Sequence, residues 1–265
     1  VMPAKRQRKN SMANTPLHYR NPKYGWIPDL PDKRDFLYKT LVPQITPLPG
    51  RVDLRMKCSP VENQGNLGSC TACALTGNLE FLKNRSDFSE LFLYYNERAI
   101  RNTQNADSGA SLRDGIKSLV KLGDCLESYW PYIIDKFTLK PDEKAYLDAL
   151  KYLVLSYYRI SSVPEMKHTL VSGYPFVFGF SVYESFEEPG VAQTGIVPLP
   201  APTEHLLGGH AVMAVGFNEA NQQFIVRNSW GNAWGDHGYF YMPYDYLDNS
   251  SLSSDFWTIR DICKQ

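Results

Sequence analysis

Residues Val61–Cys73 read VENQGNLGSCTAC. A turn rich in Gly and Asn runs into Cys70, and Cys73 follows one helical turn later. Cys70 is a nucleophile, half of a redox or metal pair, or a small apolar core residue, and that choice decides both fold and function. Ser69 stands where an N-cap belongs, and Ala72, Leu75, Leu79 and Leu82 recur at spacings of three and four. That pattern predicts a helix from Cys70 to about Leu82. Cys73, Ala74 and Gly77 fill a second side, so the helix is expected to lie buried between other elements.

A cysteine nucleophile acts as the thiolate, and two devices favour that form: a helix N-terminus and a nearby imidazolium. The predicted helix supplies the first. Five histidines are candidates for the second. His18 lies in a polar arm, His168 on a short helix and reads as a surface residue, His205 in the loop APTEHLLGG, and His237 in the turn WGDHGY. His210 stands apart. It opens the apolar run HAVMAVGF directly after Gly208-Gly209, where the missing side chains let a chain or ligand come close. Asn228 ends the apolar strand FIVR and is able to fix the tautomer of a histidine, with Trp230 as a cover. Gln64, six residues before Cys70, carries an NH₂ that can join the Cys70 N–H in holding an oxyanion.

QGNLGSC at 64–70, GGHAV at 208–212 and NSWGNAWGDHGY at 228–239 resemble the three signature blocks of papain-like cysteine peptidases. The likeness extends over about residues 50–265 and is stronger to a bacterial and viral branch than to lysosomal cathepsins, on SGASLRDGIKSL, PFVFGFSVYESF and SDFWTI. His210 and Asn228 follow Cys70 by 140 and 158 residues, near the family spacing. The resemblance implies an α+β, two-lobe fold. A helical lobe with its central helix starting at Cys70 would cover roughly 51–150, and an antiparallel, barrel-like β lobe roughly 151–265, with the cleft between them. It implies Cys70 as nucleophile, His210 as acid/base, Asn228 as its orienting partner under Trp230, and Gln64 in the oxyanion hole. Gly109 and Gly209 would line the backbone track for an extended peptide or protein substrate. No metal or organic cofactor is implied. Two departures stand out: Thr71 replaces the aromatic residue that usually follows the nucleophile, and Leu67 replaces a disulfide cysteine.

Other readings of Cys70 make different demands. A redox Cys-x-x-Cys expects a small βαβ context that is missing here, and a structural zinc site needs four ligands. A catalytically silent peptide binder, or an acyltransferase using the same three residues, would keep the motifs and differ in the reaction.

Elsewhere, Ser111 with Asp114 forms a capping-box-like start to LRDGIKSLVKLG and Pro141 sits just inside the start of the helical pattern DEKAYLDALKYL, while further helices are expected from near Leu91 and over Pro164 to Val171. Phe176, Phe178, Phe180 and Val182 alternate along FVFGFSV, and HAVMAVGF, QFIVRNSW, GYFYMPY and DFWTIRDI follow as strands. Composition is that of a soluble globular protein: 43% hydrophobic and 21% charged. No apolar run approaches the ~18 residues of a membrane span, and no signal-like segment is visible, so no compartment is read. Five cysteines leave at least one unpaired, with Cys58, Cys125 and Cys263 as candidates for a bridge.

Net charge is zero, yet residues 1–40 carry nine Lys/Arg against three Asp/Glu. Lys5, Arg6, Arg8 and Lys9 read as a solvated start, and nucleic acid is not an expected partner because no aromatic-basic alternation follows. Residues 1–50 are Pro-rich and lack helical periodicity. They are expected to form an extended arm, part of which (10–40) lies across or beside the cleft as an intramolecular ligand anchored by Tyr24 or Trp26.

Overall fold

The structure, a computed structural model, describes residues 24–40 and 47–263. His18 and the basic start lie outside the described residues. The chain folds as α+β: an antiparallel sheet with helices packed against both of its faces.

Helix α1 (Cys70–Leu82) is buried from its first residue to Phe81, as its small residues on two sides require. It is flanked by α2 (Glu90–Ala99) and α3 (Leu112–Leu122). The hydroxyls of Ser89 and Ser111 cap these two helices by accepting from the N–H groups of Phe92 and Asp114. Ser69 sits at the α1 cap position without capping it; its hydroxyl bonds instead to Tyr132 Oη at 2.6 Å. Further along, α4 (Glu143–Ala149) is capped by Asp142, so Pro141 lies outside the helix and not within its first turn. Ser162 caps α5 (Val163–Val171).

The strands are β1 (Arg51–Asp53), β2 (Val154–Arg159), β3 (Phe176–Tyr183), β4 (Leu206–Asn218), β5 (Gln223–Arg227), β6 (Tyr239–Pro243) and β7 (Ser253–Ile262). Short helices α6 (Pro189–Thr194) and α7 (Tyr244–Asp248) fill the connections. All named strand pairs are antiparallel, in the order β2-β7-β3-β4-β5-β6, with β1 on the far half of β4. Among the described residues no pairing joins β2 to β6, so the β lobe is an open curved sheet and not a closed barrel.

Period-two alternation sorts β3 into two cores. Phe176, Phe178, Phe180 and Val182 enter an aromatic core with Phe224, Phe240 and Phe186. Val177 faces the other way, toward α1 and α3, with Ala211, Met213, Leu75 and Ile116.

Two expectations are corrected here. His168 is buried on α5 and is not a surface residue. Cys58, Cys70, Cys73, Cys125 and Cys263 are all free thiols, so no bridge joins any of them.

Candidate active site

Cys70 and His210 reach the site from opposite sides of the packing between α1 and the sheet. Cys70 is the first residue of α1, at the positive end of the helix dipole. His210 is the fifth residue of β4 and not its start; it pairs in register with Phe180 of β3. Both side chains are fully buried.

His210 Nε2 lies 2.8 Å from Asn228 Oδ1. The same oxygen accepts the backbone N–H of Ser229 at 2.8 Å, which fixes the amide orientation. Because Oδ1 only accepts, Nε2 carries the proton and Nδ1 keeps its lone pair. No hydrogen bond engages Nδ1 within the described residues. Trp230 stacks on the imidazole at a ring-centroid distance of 5.0 Å and an interplanar angle of 26°.

Gln64 is buried and doubly held: Nε2 donates to Leu67 O at 2.9 Å, and Oε1 accepts from Ser229 Oγ at 2.6 Å. Its own N–H donates to Ser229 O at 2.9 Å, which ties the loop before α1 to the Asn228-Ser229-Trp230 stretch. Thr71 takes a role that an aromatic residue would not. Its Oγ1 donates at 2.6 Å to the buried carboxyl of Glu97, whose pKa burial pushes up to about 8.

Residues 24–27 lie directly over these groups. The Tyr24 ring stands edge-on 6.0 Å from the His210 ring and 6.2 Å from Trp230, and its hydroxyl donates to Glu187. Trp26 N–H donates to Gly209 O at 3.0 Å, Ile27 N–H to Ala110 O at 2.9 Å, and Ala110 N–H to Gly25 O at 2.8 Å. The strand-like pairing therefore falls on Ala110, one residue beyond Gly109. Gly109 instead makes room: with φ +68°, an added Cβ would stand 2.1 Å from Gly25 O. Gly25 in turn packs on Gly68 so closely that a Cβ there would meet Gly68 O at 1.8 Å.

This cover changes the electrostatics. Burial pushes the Cys70 thiol up to about 11, against the opposing pull of the Ala211 and Gly25 backbone N–H groups. Burial drops the His210 imidazole to about 4, with Asn228 opposing. In this arrangement both groups are neutral near pH 7. The ion pair expected from the sequence is thus disfavoured while the segment is in place, because a dry site penalises both charges.

Sequence reasoning did not pick out Glu187, Glu97 or Gly179, which lies beneath Trp26. Only Gly179 left a trace, as the one residue without a side chain in the run FVFGFSV. Among the described residues no His/Cys/Asp/Glu group could hold a metal ion, and no helix is long and apolar enough to cross a membrane.

Residues 48–257 match the family model described as papain family cysteine protease. An uncharacterised peptidase C1-like protein of Acanthamoeba polyphaga mimivirus is 43% identical over 270 residues, covering 90% of this chain and 87% of the relative. Pro-cathepsin H of Mus musculus is 29% identical over 208 residues, covering 73% of this chain; the matched part spans 60% of that relative. Among solved structures, xylellain, a cysteine protease from Xylella fastidiosa, superposes with a TM-score of 0.82 at 41% identity, covering 89% of this chain and 95% of that one.

Proposed function

This chain belongs to the papain family of cysteine proteases, and from that premise we propose that it hydrolyses peptide bonds within extended chains through Cys70 and His210. One observation carries the reading: the Asn228 contact puts the imidazole proton on Nε2 and leaves Nδ1 as a bare, buried base under Trp230.

In the proposed cycle, Nδ1 takes the Cys70 proton, and the sulfur attacks the substrate carbonyl carbon. The carbonyl oxygen becomes an oxyanion held by the Cys70 N–H and the Gln64 side-chain amide. The imidazolium then gives its proton to the leaving amine, which departs and leaves an acyl-enzyme. Water, deprotonated by Nδ1, attacks the thioester and releases the acid. Asn228 touches no reacting atom and acts as a positioning residue.

The second half of the proposal is latency. Residues 24–27 occupy the track that a substrate backbone would need, bonded to Gly209 and Ala110 on its two walls. The group they aim at the sulfur is the Gly25 N–H, a donor with no carbon to attack. The segment therefore blocks the site without being cut, and it keeps the Cys–His pair dry and neutral. Its release rehydrates the pair and permits the ion pair.

The test uses a peptide blocked at both ends and internally quenched, together with an epoxide thiol reagent. Turnover that vanishes in Cys70→Ala, with the epoxide mapped to Cys70, is expected. Binding of the peptide without turnover, in both the parent chain and Trp26→Ala, would mark a silent peptide binder instead. Transfer of the acyl group to added amines in preference to water would mark an acyltransferase.

A further inference from the structure

The first turn of α1 carries a second thiol that the proposed reaction does not use. Cys73 lies one helical turn after Cys70; both are buried and both are free. Cys73 Sγ stands 3.9 Å from Ser69 Oγ, so its side chain leans back toward the start of the helix, onto the residue just before Cys70. Ala211 is a neighbour of both cysteines. Its backbone N–H is aimed at the Cys70 sulfur, and with Cys73, Asn228 and Ser229 it lines a small gap between α1 and the sheet. Cys73 therefore has room on one side, which a packed interior rarely leaves. Residues three apart on a helix stand about 5–6 Å apart at Cβ, and a disulfide needs about 3.5–4.5 Å, so about 1–2 Å must close. The helix start is the place for that adjustment. The Cys70 N–H has no partner within the helix there, and the Ser69 side chain does not cap it. The other thiols lie elsewhere: Cys125 in a separate apolar cluster, Cys263 after β7, and Cys58 with its Sγ 3.7 Å from Leu54 O.

We propose that Cys73 is the resolving thiol for a reversible oxidation of Cys70: when residues 24–27 leave the cleft and a hydroperoxide reaches the nucleophile, the two cysteines close into a disulfide within the first turn of α1, and a dithiol reductant reopens it. In the first step the Cys70 thiolate attacks one peroxide oxygen. The S–O bond forms, the O–O bond breaks, and the departing alkoxide or hydroxide takes the proton of the His210 imidazolium. Cys70 is oxidised by two electrons to the sulfenic acid. In the second step the Cys73 sulfur attacks the Cys70 sulfur. The S–S bond forms, the S–O bond breaks, and the hydroxide leaves as water with the Cys73 proton. A dithiol then supplies two electrons and two protons, restores both thiols and ends as its own disulfide. Without a resolving thiol, a second peroxide takes the sulfenic acid to a sulfinic acid that thiols do not reverse. Burial keeps the Cys73 thiol protonated, so the oxidant acts first on Cys70. The docked segment leaves Cys70 fully buried, so the latent form is shielded and the open form is the one that needs the device. The inference rests on the peptidase reading and its latency, and adds a covalent modification of the same site.

The test treats the full chain and Trp26→Ala with hydrogen peroxide, blocks the remaining thiols with iodoacetamide in denaturant, and maps the tryptic peptide from Cys58 to Lys83 by fragment mass. In Trp26→Ala the expected product has lost two hydrogens between Cys70 and Cys73, with Cys58 alkylated as a free thiol. The parent chain, which needs no altered residue, should form the same bridge more slowly. Epoxide labelling of Cys70 is measured before peroxide, after peroxide, and after dithiothreitol. It should be lost on oxidation and return on reduction. With Cys73→Ala added to Trp26→Ala, labelling before peroxide should be kept, and the loss should become permanent with Cys70 as the sulfinic acid. A sulfinic acid on Cys70 beside an alkylated Cys73, a bridge to Cys58, or equal recovery with and without Cys73 overturns the inference. Those outcomes leave the peptidase reading standing, because epoxide capture before oxidation is scored on its own. A Cys70–Cys73 bridge in a chain that hydrolyses no peptide upholds the thiol chemistry and removes the peptidase reading alone.

Discussion

At the scale of residues, the chemistry turns on which atoms are left without partners. His210 Nδ1 has no hydrogen-bond partner within the described residues while Nε2 is held by Asn228, and that asymmetry leaves Nδ1 as the ring's basic atom. Gln64 Nε2 donates to Leu67 O, and Oε1 accepts from Ser229 Oγ, so the amide is held in one orientation. Gln64→Ala should therefore lower kcat by about 10²–10³-fold, measured per epoxide-titrated site so that misfolded protein is not counted. Glu97 gives a second test. Its pKa is raised to about 8 by burial, so between about pH 4.5 and 8 the folded chain holds a proton that the unfolded chain releases. This group's contribution to stability is lost as pH rises through that window. Glu97→Gln keeps an acceptor for Thr71 and removes the titration. The urea midpoint of the variant should fall less than that of the parent between pH 5 and pH 8, and parallel curves would refute the assignment. His210, Asn228 and Gln64 were legible because each sits in a short local motif. Glu97 was not, because its partner Thr71 lies 26 positions away in the chain and carries no motif.

Elements explain why the site is closed. Segment 24–27 has no helical or strand periodicity, yet its backbone bonds to both walls and its side chains fill two holes. Tyr24 covers His210, and Trp26 packs over Gly179. Trp26→Ala on the full chain should speed iodoacetamide labelling of Cys70 by at least about tenfold, since burying an indole is worth a few kcal/mol. Equal labelling rates in the two proteins would remove the latency proposal. The pH profile should change as well. In Trp26→Ala the pair is hydrated, and activity should follow a bell with two macroscopic pKa values belonging to the pair. Helix α1 and strand β3 were readable from pattern alone. The exact cap of α1 was not, because Ser69 has a better partner in Tyr132 than in its own helix.

For the molecule as a whole, one charge cluster ties the arm to both layers. Asp29 accepts from the Arg113 N–H at 3.1 Å and from Trp257 Nε1 at 3.0 Å. Asp35 pairs with Arg113 at 2.7 Å and with Arg159 at 3.1 Å, and Arg159 reaches Asp255 at 3.1 Å. Two guanidiniums thus hold three carboxylates drawn from the arm and β7, on a base of α3 and β2. Removing one partner from such a buried set leaves charge uncompensated and is strongly destabilising. Arg113→Met should loosen residues 29–35 and raise the labelling rate of Cys70. A rate equal to that of the parent, with the near-ultraviolet dichroism retained, would show that the cluster does not hold the arm.

The sequence by itself determined most of the elements and nominated the candidate site residues, because helical and strand periods, caps and the three motif blocks are local properties of the chain. It also carried the family, through blocks at 64–70, 208–212 and 228–239 that match only together. What residues 24–27 do to the site was decided by tertiary structure. Whether the thiol and imidazole are charged depends on how much water reaches them, and that depends on a segment more than forty positions upstream of Cys70 folding back over it. The fit of the Trp26 indole against Gly179 and Gly209 is likewise a property of two paired strands and a docked segment, and no single stretch of sequence contains it.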